Sequence, residues 1–167
     1  MPLLKKNESP AIRFLISMLI CYPEVSSVRY NPLDKSFVFS FFRVSAIDDQ
    51  KKSACLQDIK AYFAACRELD PSFPPIGEIE FNVQDGITVL SYRQSSENFS
   101  RSEIHLLVSV IQSYFANDVK EDFMLLEQEL KDQEATIDML LGHRHTWFEQ
   151  EQIIAYRDGA KVFIYNR

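Results

Sequence analysis

Glycine is scarce in this chain, with four residues in 167 (Gly77, Gly86, Gly142 and Gly159), and no two are close together. A glycine-rich phosphate cradle cannot be assembled from them in the usual way. The sequence holds no P-loop and no G-x-G-x-x-G, and G-x-S-x-G and H-E-x-x-H are missing too. No cofactor is therefore expected. No apolar run reaches the ~18 residues of a membrane span, so a membrane partner is not expected. A basic footprint is also lacking. The net charge is −6, and the stretch from Asp118 to Leu141 holds eight acids against two lysines. Nucleic acid, which needs phosphate-neutralising bases, is thereby disfavoured as a partner. Cysteines number three, Cys21, Cys55 and Cys66, with no C-x-x-C spacing. Each lies in an apolar helical context, which points to buried, reduced thiols and a cytoplasmic protein.

What is present is a globular composition. Hydrophobic residues make up 46% and aromatics 13%, led by 13 Phe and 7 Tyr, enough for one core in one domain spanning residues 1–167. Lys5 and Lys6 before the apolar run Ala11–Cys21 resemble a targeting segment. Arg13 interrupts that run, however, and Ile20 stands where a lipoprotein signal carries a small residue. The run is read as a first core helix, with Ser9 as N-cap and Pro10 at the first helical position.

Val25–Tyr30 and Ser36–Val44 read as strands around the turn residues Asn31-Pro32-Leu33-Asp34. Phe37, Phe39, Phe41 and Phe42 are expected in the core, and apolar residues on both faces mark the second strand as central. A second helix is expected from Asp48 or Asp49 to about Arg67, with Leu56, Ile59, Phe63 and Cys66 as its buried stripe. Glu78–Gln84 and Ile87–Arg93 flank Asp85-Gly86, the pair a type I′ hairpin requires. A two-residue loop sets Val83 against Thr88, Phe81 against Leu90, and Ile79 against Tyr92 on the apolar face. On the polar face Glu80 meets Ser91 and Glu78 meets Arg93.

A third helix starts at Ser100 or Ser102. A long acidic fourth helix follows, ending at Gly142 as a C′ stop, with an apolar heptad seam along it. Gln152–Arg157 and Ala160–Tyr165 around Asp158-Gly159 form the last hairpin. The same rule pairs Ile153 with Ile164, Ala155 with Val162, Ile154 with Phe163, and Tyr156 with Lys161. The fold class is α+β: a mainly antiparallel sheet of about six strands, built from helix–hairpin units, with helices on one face.

Chemistry-bearing constellations are few. His143-Arg144-His145 with Glu149 and Glu151 is the best local candidate for a metal, but convergence of three or four ligands is not evident, and no metal site is assigned. No local signature surrounds any cysteine, and Cys66 near a helix C-terminus meets the dipole end that disfavours a thiolate. No catalytic residue is assigned. The expected function is a non-enzymatic protein-interaction or regulatory module that self-associates as a homo-oligomer or binds another protein. A ligand-sensing α+β domain is the alternative, and a small thiol- or metal-dependent enzyme the third reading. The candidate contacts are the seam residues Phe123, Leu126, Leu130, Ile137 and Leu140, and one face of the last hairpin, Ile154, Tyr156, Phe163 and Tyr165. The seam requires a cover, either from its own domain or from a second copy.

Overall fold

The computed structural model describes residues 9–115, 127–159 and 161–166. The protein is α+β. Among the described residues six strands form one antiparallel sheet in the order β3-β4-β2-β1-β5-β6. The strands are β1 (Ser27–Asn31), β2 (Ser36–Arg43), β3 (Glu78–Gln84), β4 (Ile87–Ser95), β5 (Ile153–Asp158) and β6 (Lys161–Asn166). The described helices are α1 (Pro10–Cys21), α2 (Asp49–Leu69), α3 (Arg101–Tyr114) and α4 (Glu127–Gly142).

Local chemistry starts each helix. Ser9 accepts from the Ile12 N–H and Pro10 occupies the first turn of α1. Asp48 accepts from the Lys51 N–H at 2.7 Å and opens α2. Ser100 and Glu103 form a capping box on α3. At the other end of α1, Arg157 reaches from β5 to the carbonyls of Leu19, Tyr22 and Val25, and so ties the last hairpin to the first helix.

The helices cover one face of the sheet. Phe14 of α1 packs on Phe37 with ring centroids 4.9 Å apart, and Phe63 of α2 lies 6.0 Å from Tyr92. Nine of the twelve residues of α1 are buried, so the apolar run near the N-terminus is a core helix of the domain. Among the described residues, no helix is long and apolar enough to cross a membrane. Strand β2 is flanked by β1 and β4 and is central. Its odd positions Phe37, Phe39 and Phe41 are fully buried, whereas Phe42 on the other face is 52% exposed, which corrects its expected place in the core. The physical reason is strand parity: a residue one step along points to the opposite face, and no helix of the described residues covers that face.

Hairpin β3–β4 has the register expected from its two-residue loop, from Glu78 opposite Arg93 to Val83 opposite Thr88. Asp85 and Gly86 both take positive φ, 53° and 76°. Hairpin β5–β6 differs. Asp158 faces Lys161, so Asp158 ends β5 as a paired residue instead of standing in the loop with Gly159. Ala155 therefore pairs with Ile164, Tyr156 with Phe163, and Ile154 with Tyr165. Gly159 takes φ 60° at the first loop position, leaving Asp158 to end the strand. The shift is two residues, so each side chain keeps its expected face.

Helix α4 runs through Gly142 and passes into a 3-10 turn, Arg144–Thr146, in place of a C′ stop at Gly142. Of the long acidic helix expected before it, residues 118–126 lie outside the described residues.

Candidate interaction surface

Side chains alternate along each strand, so the paired registers define the uncovered face row by row. One row runs Glu80, Ser91, Ser40, Ser27, Tyr156, Phe163 from edge to edge. The next runs Glu78, Arg93, Val38, Arg29, Ile154, Tyr165. The face is graded: carboxylates at the β3 edge, serines and arginines in the middle, aromatic rings at the β6 edge. Tyr156 and Phe163 stack at 5.4 Å with their planes 19° apart. They remain 42% and 39% exposed, and Tyr165 is 56% exposed. Ile154 is half-buried among them. The four hairpin residues singled out in the sequence thus form one apolar patch at the sheet's end.

The patch borders a free edge. The Arg157 N–H donates to the Ser26 carbonyl beside β1. Along β5, odd residues therefore face β1 and even residues face β6. Phe163 and Tyr165, which pair with Tyr156 and Ile154, turn their backbone groups toward β5. Val162, Ile164 and Asn166 turn theirs outward, where no strand of the described residues pairs with them.

The seam on α4 has a different fate. Ile137 and Leu140 are buried within the chain, and Leu130 is half-buried against the core. Helix α4 packs on α1, so the cover this part of the seam requires comes from the chain itself. Phe123 and Leu126 lie outside the described residues. Gln133 holds its Oε1 buried without a hydrogen-bond partner among the described residues.

Polar groups converge in two places. Glu103, fully buried, accepts from the Tyr92 hydroxyl, from Gln94 Nε2 at 2.8 Å and from the Ser100 N–H at 2.7 Å. Burial raises its carboxyl above the ordinary Glu value against the pull of these donors. This network fastens β4 to the start of α3. The second cluster joins α1, α3 and α4. Arg101 forms ion pairs with Glu134 and with Asp138, the latter at 3.1 Å, while His105 Nε2 lies 3.0 Å from the Tyr22 hydroxyl and 3.1 Å from Arg101. Burial, and then the Arg101 charge, lower the His105 value and favour the neutral ring.

The thiols are unpaired, with Cys21 and Cys55 buried and Cys66 half-buried. Burial pushes Cys21 and Cys55 up to about 11, which disfavours a thiolate near neutral pH. Cys66 and His105 both line a groove of about 570 Å³ between α2 and α3, but His105 Nε2 is engaged by Tyr22 and Arg101. A second hollow of about 530 Å³ lies beside the 3-10 turn, with Arg144, His145, Trp147 and Glu149 on its wall. Arg144 there donates to the carbonyls of Ser96 and Phe99, each at 2.7 Å, and so closes the loop between β4 and α3. Among the described residues no three of His, Cys, Asp and Glu are grouped to hold a metal ion.

The signal missed in the sequence was the middle of the outer face. Ser40 stands between Val38 and Phe42, a mixed pattern beside the unbroken Phe37, Phe39 and Phe41. That contrast separates a solvent-facing side from the core side of β2. Comparison with known proteins returns no matching family model, no matching curated protein and no matching solved structure.

Proposed function

We propose that this chain is a non-enzymatic protein-interaction or regulatory module that self-associates, and that the outer face of β5–β6 is its contact surface. One observation carries the reading: three aromatic side chains, Tyr156, Phe163 and Tyr165, stand exposed together beside a strand edge with no partner strand among the described residues. Exposed aromatic clusters of this kind mark partner surfaces, because burying each ring against a partner is favourable and costs little side-chain entropy. The buried part of the α4 seam supports the same choice of surface, since Ile137 and Leu140 already have their cover. The high values at Cys21 and Cys55 weigh against thiol catalysis there. Three unpaired thiols suit a reducing compartment, and we place the module in the cytoplasm.

Light scattering on the intact chain tests this reading. The expected result is a mass of twice the chain at high micromolar concentration. Phe163→Asp is expected to return the mass to one chain while far-UV circular dichroism stays unchanged, because residue 163 lies on the uncovered face. A wild-type monomer at high micromolar concentration overturns the reading. A dimer unaffected by Phe163→Asp moves the contact away from this face.

A further inference from the structure

We infer that the partner of this surface is a second copy of the chain, joined edge to edge through β6 about a two-fold axis at Phe163. The inference rests on the proposed self-association and adds its geometry. The two ends of the sheet are chemically unlike. The β3 edge carries Glu78 and Glu80 on the outer face, and Lys52 of α2 reaches over the Phe81 ring at 5.9 Å. Charges and a covering side chain are standard guards of a sheet edge. The β6 edge reads Lys161-Val162-Phe163-Ile164-Tyr165-Asn166, with one charge, no proline and an unbroken run of strand formers. Lys161 at its start is the one guard it carries among the described residues.

A two-fold axis pairs each residue with the one equally distant beyond the axis. Centred on Phe163, it sets Val162 opposite the second copy's Ile164, with the outward N–H and C=O groups of both residues in line to exchange hydrogen bonds. Phe163 faces its own equivalent in a non-hydrogen-bonded pair, where side chains approach most closely. Lys161 faces the second copy's Tyr165. The strand's one cation thus meets an aromatic ring instead of another cation. Every pair is matched: aliphatic on aliphatic, ring on ring, ammonium on ring. The same operation applied to the β3 edge brings Glu80 against its own equivalent or against Asn82, and crowds four carboxylates into one short ladder. A β6-to-β3 contact would not close, since each added copy would expose a fresh edge. The two-fold β6 contact closes at two copies and gives one continuous sheet with the aromatic patches of both chains side by side.

Engineered cross-linking tests the axis. In a Cys66→Ser background, which removes the half-buried thiol, Phe163→Cys and Tyr165→Cys are compared under diamide oxidation. At the axis the two Cα atoms of residue 163 would lie about 4.5–5.5 Å apart, within disulfide reach. Residue 165 and its equivalent would be offset by four positions, about 13 Å. The expected result is covalent dimer formation at least tenfold faster for Phe163→Cys than for Tyr165→Cys. Hydrogen exchange supplies a second readout without substitution: the amides of Val162 and Ile164 should gain protection as concentration rises. Faster cross-linking at 165 than at 163 overturns the register. A dimeric mass with slow cross-linking at both positions and concentration-independent exchange at 162 and 164 overturns edge pairing, while leaving self-association standing. A monomeric mass overturns both.

Discussion

The two hairpins that end this sheet begin from the same kind of sequence and come to different roles. Each pairs two antiparallel strands around an Asp-Gly sequence, and each has one face toward the helices. Hairpin β3–β4 is fastened from within. Tyr92 is fully buried, accepts from the Gly77 N–H at 3.0 Å, and donates to the buried Glu103. Hairpin β5–β6 pairs with β1 along β5, buries Ile153 and Ala155, is tied to the end of α1 by Arg157, and keeps its aromatic residues outside. A residue type therefore does not fix its role. Tyr92 and Tyr156 both sit on strands, and only their parity relative to the helices separates an anchor from a surface.

Replacement of those two tyrosines should break the comparison most sharply. Tyr92→Ala removes a fully buried ring and strands the groups bonded to it, so a loss of about 3–5 kcal/mol is expected. Tyr156→Ala, at a half-open position, should cost a monomer less than about 1 kcal/mol. Urea midpoints measured at low micromolar concentration compare the two. Equal losses would mean that the outer face is covered after all.

A smaller difference is expected between two glycines. A methyl group on Gly77 would meet the Arg93 carbonyl oxygen at 2.0 Å, where β3 begins against β4. Gly77→Ala forces backbone movement and should cost about 1–3 kcal/mol. Gly159 has open space around it, and only its φ of 60° opposes a side chain, so Gly159→Ala should cost about 1 kcal/mol. The ranking, read from thermal midpoints, sharpens the contrast between a hairpin wedged at its start and one whose turn lies in open space.

How much of this was legible in the sequence follows from which interactions are local. Asp85-Gly86 specified its own turn, because both residues tolerate positive φ, and the turn then fixed every pair in β3–β4. Asp158-Gly159 carries the same two residues, yet Asp158 pairs within β5. One glycine at positive φ can sit first or second in a tight loop, and the neighbouring sheet decides between them. The seam on α4 showed its apolar period plainly, but periodicity does not say which element supplies the cover. Here α1 covers Ile137 and Leu140. The exposed patch at Ile154, Tyr156, Phe163 and Tyr165 was visible as a second apolar face. That it lies at a sheet edge depends on β5 pairing with β1, a contact between strands more than a hundred residues apart in the chain.

The last difference between the hairpins is electrical. β4 is anchored through a carboxyl, Glu103, whereas the outer patch of Ile154, Tyr156, Phe163 and Tyr165 holds no carboxyl. Burial, the largest influence, holds the Glu103 carboxyl above its ordinary value of 4.5 despite donors from Tyr92, Gln94 and the Ser100 N–H. A carboxyl that is harder to ionise in the fold than in the unfolded chain binds its proton more tightly when folded. Its contribution to stability is therefore greatest below the ordinary value, and it is lost as pH rises through the raised one. Glutamine at this position keeps the size and cannot titrate. The stability of the wild-type chain relative to Glu103→Gln should therefore increase as pH falls from 7 toward 4.5, whatever the rest of the molecule contributes to both. Urea midpoints of the two proteins at intervals across that range measure the gap. A gap that stays constant or narrows on acidification would show that the carboxyl is not raised, and that the Tyr92 and Gln94 donors outweigh the burial. A gap that widens would place a proton-binding carboxyl at the anchor of the first hairpin, with no counterpart in the exposed patch of the second.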